Sequence, residues 1–180
     1  MGKVVRQVLV SKDEIQNMVA RIGQEITADY AGRRVLLICV LKGAFIFMAD
    51  LVRCIDLPVE VDFMSVSSYG GNTSTSGVVR ILRDLDTDIT GKNVIIVEDI
   101  IDTGLTLNHL KELLATRNPD SIAICTAFDK PERRKVDVEV NYRGMTIPDE
   151  FVVGYGLDYA GDYRHLSDVC ILGEDGGEES

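Results

Sequence analysis

After Ser11, apolar residues return at helical spacing: Ile15, Met18, Val19, Ile22 and Ile26 form one stripe, and Ser11-Lys12-Asp13-Glu14 ahead of them reads as a capping box. The spacing predicts a helix that runs to about Tyr30. Residues 35–41 are a continuous apolar run of strand length, followed by Lys42-Gly43 and a helix over about 44–53. Residues 59–66 predict a strand in which Val59, Val61 and Phe63 alternate, and residues 78–82 predict another. Between them, 67–77 is rich in Gly, Ser and Thr, too polar for a core. Residues 94–97 predict a buried strand, about 105–116 a helix closed by Asn118-Pro119, and 122–128 a strand that ends at Asp129-Lys130-Pro131. Short β pieces are expected over 136–140, 151–155 and 169–172. Strands apolar on both faces and separated by helices describe an α/β fold with a twisted parallel sheet of about five strands. Ligands of such sheets sit at the carboxyl ends of the strands. Those ends carry Lys42-Gly43, Glu98-Asp99 and Asp129-Lys130.

Composition narrows the classes of function. The chain has 180 residues and a formal charge of −10, with 46% hydrophobic and 27% charged residues. These are globular values, and the acidic balance argues against a broad nucleic-acid or membrane surface. Glu174, Asp175, Glu178 and Glu179 belong to an acidic end, 173–180, expected to be a disordered tail behind one domain over 1–172. Cys39, Cys54, Cys125 and Cys170 are widely spaced, as reduced thiols of a cytoplasmic protein would be. The longest apolar run is too short to span a bilayer.

Residues 94–107 carry the most chemistry. A strand runs into Glu98-Asp99, two apolar residues follow, and Asp102-Thr103-Gly104 opens a helix. Backbone amides at a helix N-terminus can hold a phosphate, and carboxylates at the end of a strand can hold hydroxyls or a metal. An anion cradle beside three acids suits a sugar phosphate that carries Mg²⁺ better than it suits plain phosphate.

The segment 97–106, Val-Glu-Asp-Ile-Ile-Asp-Thr-Gly-Leu-Thr, resembles the phosphoribosyl-pyrophosphate loop of type I phosphoribosyltransferases. Leu41-Lys42-Gly43, Ser67-Ser68-Tyr69-Gly70, Asp129-Lys130-Pro131, Ile147-Pro148-Asp149, 151–158 and Tyr163-Arg164 narrow the resemblance to the hypoxanthine (hypoxanthine-guanine) phosphoribosyltransferase branch. That resemblance implies transfer of a 5-phosphoribosyl group from phosphoribosyl pyrophosphate to N9 of hypoxanthine or guanine, with Mg²⁺. It also implies a small hood built from both termini and a homo-oligomer, dimer or tetramer. Thr103, Gly104, Leu105 (by its amide) and Thr106 would bind the 5′-phosphate. Glu98 and Asp99 would take the ribose hydroxyls and Mg²⁺, and Asp102 would be the proton acceptor at N7 or stabilise charge there. Lys130 would donate to the purine 6-oxo group, which an ammonium can do and an exocyclic amine cannot reciprocate. Phe151 would stack on the base, Val152 would bond it through its backbone, and Asp158, counted with the purine pocket, would hold a second Mg²⁺. Lys42, Gly43 and Arg164 would bind pyrophosphate, with the Leu41–Lys42 peptide cis. Ser68 and Tyr69 would root a lid over the reacting centre.

After Arg164 the chain reads His165-Leu166-Ser167 where bacterial relatives commonly have Asn-Leu-Pro, which puts the local turn in question. Three other readings stay open on sequence: a transferase for xanthine or another 6-oxo base, a nucleic-acid-binding regulator that kept the loop, and a receiver-type signalling domain.

Overall fold

Two sheets organise the chain, whose computed structural model describes residues 2–68 and 79–174. The elements are β1 (Lys3–Val10), α1 (Lys12–Asp29), β2 (Val35–Leu41), α2 (Phe45–Val52), β3 (Val59–Ser68), β4 (Val79–Arg83), β5 (Asn93–Ile101), α3 (Leu105–Ala115), β6 (Ser121–Asp129), β7 (Tyr142–Thr146), β8 (Val152–Val153) and β9 (Val169–Glu174). The main sheet has six strands in the order β4-β3-β2-β5-β6-β7. All neighbours in it pair in parallel except β4, which lies antiparallel on the edge.

Alternation along the central strands explains the layers. Leu37 and Cys39 of β2, Ile95 and Val97 of β5, and Ala123 and Cys125 of β6 face one core with Ile15, Met18, Val19, Ile22 and Ile26 of α1 and Phe47 and Leu51 of α2. Leu36, Ile38, Val94, Ile96 and Ile124 face the other core with Leu107, Leu110 and Leu114 of α3. Strands covered on both faces must be apolar at every position, and burying each such side chain contributes about 1.5–3 kcal/mol. The capping box starts α1 as the sequence predicts: Ser11 Oγ accepts from the Glu14 N–H at 3.2 Å, and Glu14 Oε2 accepts from the Ser11 N–H at 2.8 Å. The second sheet, β1-β9-β8, is antiparallel and joins the chain's beginning to its end. It is the expected hood, although β1 was not expected as a strand.

Two readings change. The strand expected over 94–97 extends through Ile101, because β6 continues beside it and pairs Ile100 with Phe128 and Ile101 with Asp129. Residues 136–140 form no strand. The Lys135 and Val136 N–H groups donate to the Thr103 carbonyl, and Val138 is buried against the α3 side. The strand in that region is β7, which pairs Cys125 with Tyr142 and Phe128 with Met145. The expected lid residue Tyr69 lies outside the described residues, as does the tail beyond Glu174; Ser68 ends β3, opposite Val79. Among the described residues, no helix is long and apolar enough to cross a membrane.

Candidate active site

A cleft of about 450 Å³ opens at the carboxyl ends of β2, β5 and β6, under the hood. Its lining includes Lys42, Gly43, Glu98, Asp99, Asp102, Thr106, Lys130, Phe151, Val152, Asp158 and Arg164, so residues from opposite ends of the chain meet there. A smaller recess of about 150 Å³ continues from it along Glu98, Asp99, Asp102, Thr103, Gly104 and Thr106. Leu105 lines neither cavity; its N–H donates to Thr103 Oγ1 at 3.3 Å.

The recess is formed by the turn from β5 into α3. Gly104 is the N-cap at φ 80°, in the left-handed region where glycine is unstrained, and no side chain caps the helix. The Asp102 carboxylate bonds the turn instead of the helix, its Oδ1 accepting from the Thr103 N–H at 2.5 Å. The first intrahelical bond runs from the Asn108 N–H to the Gly104 carbonyl at 2.9 Å, which leaves the amides of Thr106 and Leu107, residues that line the recess, as potential anion donors.

Glu98 and Asp99 are half-buried and curl back on their own chain: Glu98 Oε1 accepts from the Asp99 N–H at 3.0 Å, and Asp99 Oδ1 from the Ile100 N–H at 2.6 Å. Burial, and then the neighbouring Asp99 charge, raise the Glu98 carboxyl well above the ordinary carboxylate range. Asp99 is also raised, chiefly by burial, with the Arg164 charge opposing. Cys39 lies close enough to feel both acids, and its thiol is pushed up to about 12 by burial first and then by their charges. A crowded acid pair of this kind gains most from a cation or from hydroxyl donors. Among the described residues, no group of three or more His, Cys, Asp and Glu side chains converges to hold a metal ion alone. The two carboxylates fit a cation that brings further oxygen ligands with it.

The pyrophosphate-side residues meet across the cleft. The Leu41–Lys42 peptide is cis, as expected. At Gly43 an added Cβ would lie 1.7 Å from Asp99 Oδ2, so the carboxylate would have to turn away. Arg164 pairs with Asp158 at 3.1 Å and donates to the Gly156 carbonyl at 2.6 Å. Despite the His165-Leu166-Ser167 departure the turn is tight, with the Leu166 carbonyl accepting from the Tyr155 N–H at 2.8 Å and the Arg164 carbonyl from the Gly156 N–H at 3.0 Å. At the hood end, Lys130 Nζ donates to the Glu150 carbonyl at 2.7 Å, Phe151 is 48% exposed and Val152 is buried.

Sequence reasoning missed the cations behind Asp102. Arg133 Nε stands 3.7 Å from Asp102 Oδ2 and its NH1 3.5 Å from Asp149. Arg134 donates through Nε to the Asp102 carbonyl at 3.1 Å and through NH2 to the buried Asp129, which also holds Arg143 at 2.8 Å. The adjacent arginines after Pro131 were a visible signal; the pairing of Asp129 with Arg143 is purely tertiary and had none.

A family model described as a phosphoribosyl transferase domain matches residues 11–160. The chain is 50% identical over 175 residues to the hypoxanthine-guanine phosphoribosyltransferase of Streptococcus thermophilus, covering 97% of each chain. It is 54% identical over 162 residues to the hypoxanthine phosphoribosyltransferase of Salmonella typhimurium, covering 89% of this chain and 91% of the relative. A solved hypoxanthine-guanine phosphoribosyltransferase from Bacillus anthracis, with HEPES in its active site, superimposes with a TM-score of 0.91 at 45% identity, covering 96% of this chain and 100% of that one.

Proposed function

The chain belongs to the phosphoribosyl transferase domain family, and from that premise we propose that it is a purine-salvage enzyme acting on hypoxanthine and guanine. The reaction breaks the bond from ribose C1′ to pyrophosphate and forms one from C1′ to N9 of the base, giving the nucleoside monophosphate and pyrophosphate. The observation that carries the reading is the convergence, in one cleft, of an acid pair, a helix N-terminus, a lysine donor and a half-exposed aromatic ring.

Each residue then has a task. The amides of the first turn of α3, with the Thr103 and Thr106 hydroxyls, bind the 5′-phosphate. Glu98 and Asp99 take the 2′ and 3′ hydroxyls and would hold Mg²⁺, which would supply positive charge against the leaving pyrophosphate. Lys130 turns from the Glu150 carbonyl to donate to the 6-oxo group, and would leave a 6-amino group unmatched. Phe151 stacks on the ring and the Val152 backbone bonds its edge. Asp102, whose Oδ1 accepts from the Thr103 N–H and whose Oδ2 faces Arg133, accepts the proton the base must lose, or stabilises the charge that forms at N7. Lys42, Gly43 and Arg164 hold the departing pyrophosphate, and Arg164 exchanges Asp158 for it; the carboxylate so released would hold a second Mg²⁺. The enzyme works as a homo-oligomer in the cytoplasm.

The test is a spectrophotometric assay with hypoxanthine, guanine, xanthine and adenine, each with phosphoribosyl pyrophosphate and Mg²⁺. Turnover of hypoxanthine and guanine, with adenine inert, is expected. Turnover of adenine, or of none of the four, would refute the reading.

A further inference from the structure

We infer that Lys3, the first residue of β1, is a positioning residue for the base, acting through the ring on which the base stacks. The inference rests on the reading above, that a 6-oxopurine enters the cleft against Phe151. Phe151 is 48% exposed, so packing alone does not fix its ring. The ring instead meets Tyr159 edge to face, with centroids 5.7 Å apart and planes at 88°. Lys3 Nζ lies 5.8 Å from the Phe151 centroid and 5.6 Å from the Tyr159 centroid. Neither Lys3 nor Tyr159 lines the cleft, whereas Phe151 does. The ammonium and the tyrosine therefore hold the phenylalanine from outside and leave its cleft side open.

The backbone of this trio is fixed from several directions. The Phe151 carbonyl accepts from the Leu172 N–H at 2.9 Å, and Tyr159 and Asp162 exchange backbone bonds at 3.1 and 3.0 Å. The Lys3 carbonyl accepts from the Tyr163 hydroxyl at 3.0 Å, and Lys3 stands opposite Glu174 in the β1–β9 pairing. These bonds fix the three backbones around one ammonium and one aromatic pair. Two consequences follow for the base. The ring loses the freedom to swing, so less entropy is lost when a purine stacks on it. A cation near the ring also offsets its negative π density, which lowers repulsion from the π cloud of a stacked purine. The amino-terminal strand thus shapes the affinity for the base from outside the pocket.

Lys3→Met keeps the aliphatic stem and removes the charge; Lys3→Arg keeps a cation that also stacks on aromatic rings. At an exposed site, losing such a contact corresponds to about a twofold to fivefold change in an equilibrium. The expected result for Lys3→Met is a rise of about threefold in KM for hypoxanthine, with kcat and KM for phosphoribosyl pyrophosphate within about twofold of the parent. Lys3→Arg should restore the parent KM. Equal KM values for the parent and Lys3→Met, a matching rise in Lys3→Arg, or an equal rise in KM for phosphoribosyl pyrophosphate would each overturn the inference. In those cases a parent enzyme that turns over hypoxanthine leaves the proposed function standing. A parent inactive with every 6-oxopurine would remove both.

Discussion

Replacing Gly43 with alanine should expel the Asp99 carboxylate from its place. The added carbon would lie 1.7 Å from Asp99 Oδ2 and 2.9 Å from its Cγ, where ordinary contact is about 3.5 Å or more. Gly43 is not among the glycines with positive φ, so its backbone accepts alanine and the contact carries the cost. Rotating the carboxylate away gives up the 2.6 Å bond from the Ile100 N–H. A hydrogen bond to a charged group contributes about 1.5–3 kcal/mol, and an off-rotamer side chain costs about 0.5–1.5 kcal/mol. The expected loss of stability is therefore about 2–4 kcal/mol. Asp99→Ala alone should be close to neutral, because it relieves repulsion with Glu98 as well as removing the bond. Urea unfolding of the parent, both single variants and the double variant measures the coupling. In the Asp99→Ala background, Gly43→Ala should cost less than about 0.5 kcal/mol, an interaction of about 1.5 kcal/mol or more. Strictly additive penalties would refute the argument, since the clash cannot persist once the carboxylate is gone.

Asp102→Asn should lower kcat by about 10²–10⁴-fold, with a smaller change in KM for phosphoribosyl pyrophosphate; equal kcat in steady-state assays would remove Asp102 from proton transfer. Glu98 is raised well above its ordinary value of 4.5, so its charge penalises the ligand-free fold. That penalty is absent below the ordinary value and grows as pH rises through the raised one. Glu98→Gln should therefore match the parent in acid and become more stable than it toward neutral pH, and parallel pH–stability curves from thermal unfolding would contradict this. Asp129→Ala leaves the mostly buried Arg134 unpaired and should cost about 3–5 kcal/mol in urea unfolding, with little added by half-exposed Arg143. A loss below about 1 kcal/mol would show that the pair does not hold the Asp102 turn.

What could be read from the chain follows from where each signal lies. α1, β2 and the strands of the sheet interior were legible because burial on one stripe or on both faces leaves an apolar pattern. β1 was not, since Val4, Val5 and Val8 face outward and its pairing with β9 joins opposite ends of the chain. β7 was missed because Tyr-Arg-Gly-Met-Thr has no alternation, and its strand is set by the neighbour β6. Residues 136–140 alternate like a strand, yet their valines pack onto the α3 core while the chain at Lys135 and Val136 bonds the Thr103 carbonyl. Within the site, the loop from Glu98 to Thr106 was readable because its chemistry is contiguous. The reach of Arg133 and Arg134 toward Asp102 depends on the fold, and so does the contact of Lys3 with Phe151.

The most direct measurement is a crystal structure of the protein soaked with inosine monophosphate. It should show the phosphate on the first-turn amides of α3, the ribose hydroxyls at Glu98 and Asp99, and the purine between Phe151 and a Lys130 that has left the Glu150 carbonyl to donate to O6. A nucleotide bound elsewhere, or a base whose O6 points away from Lys130, would contradict the account.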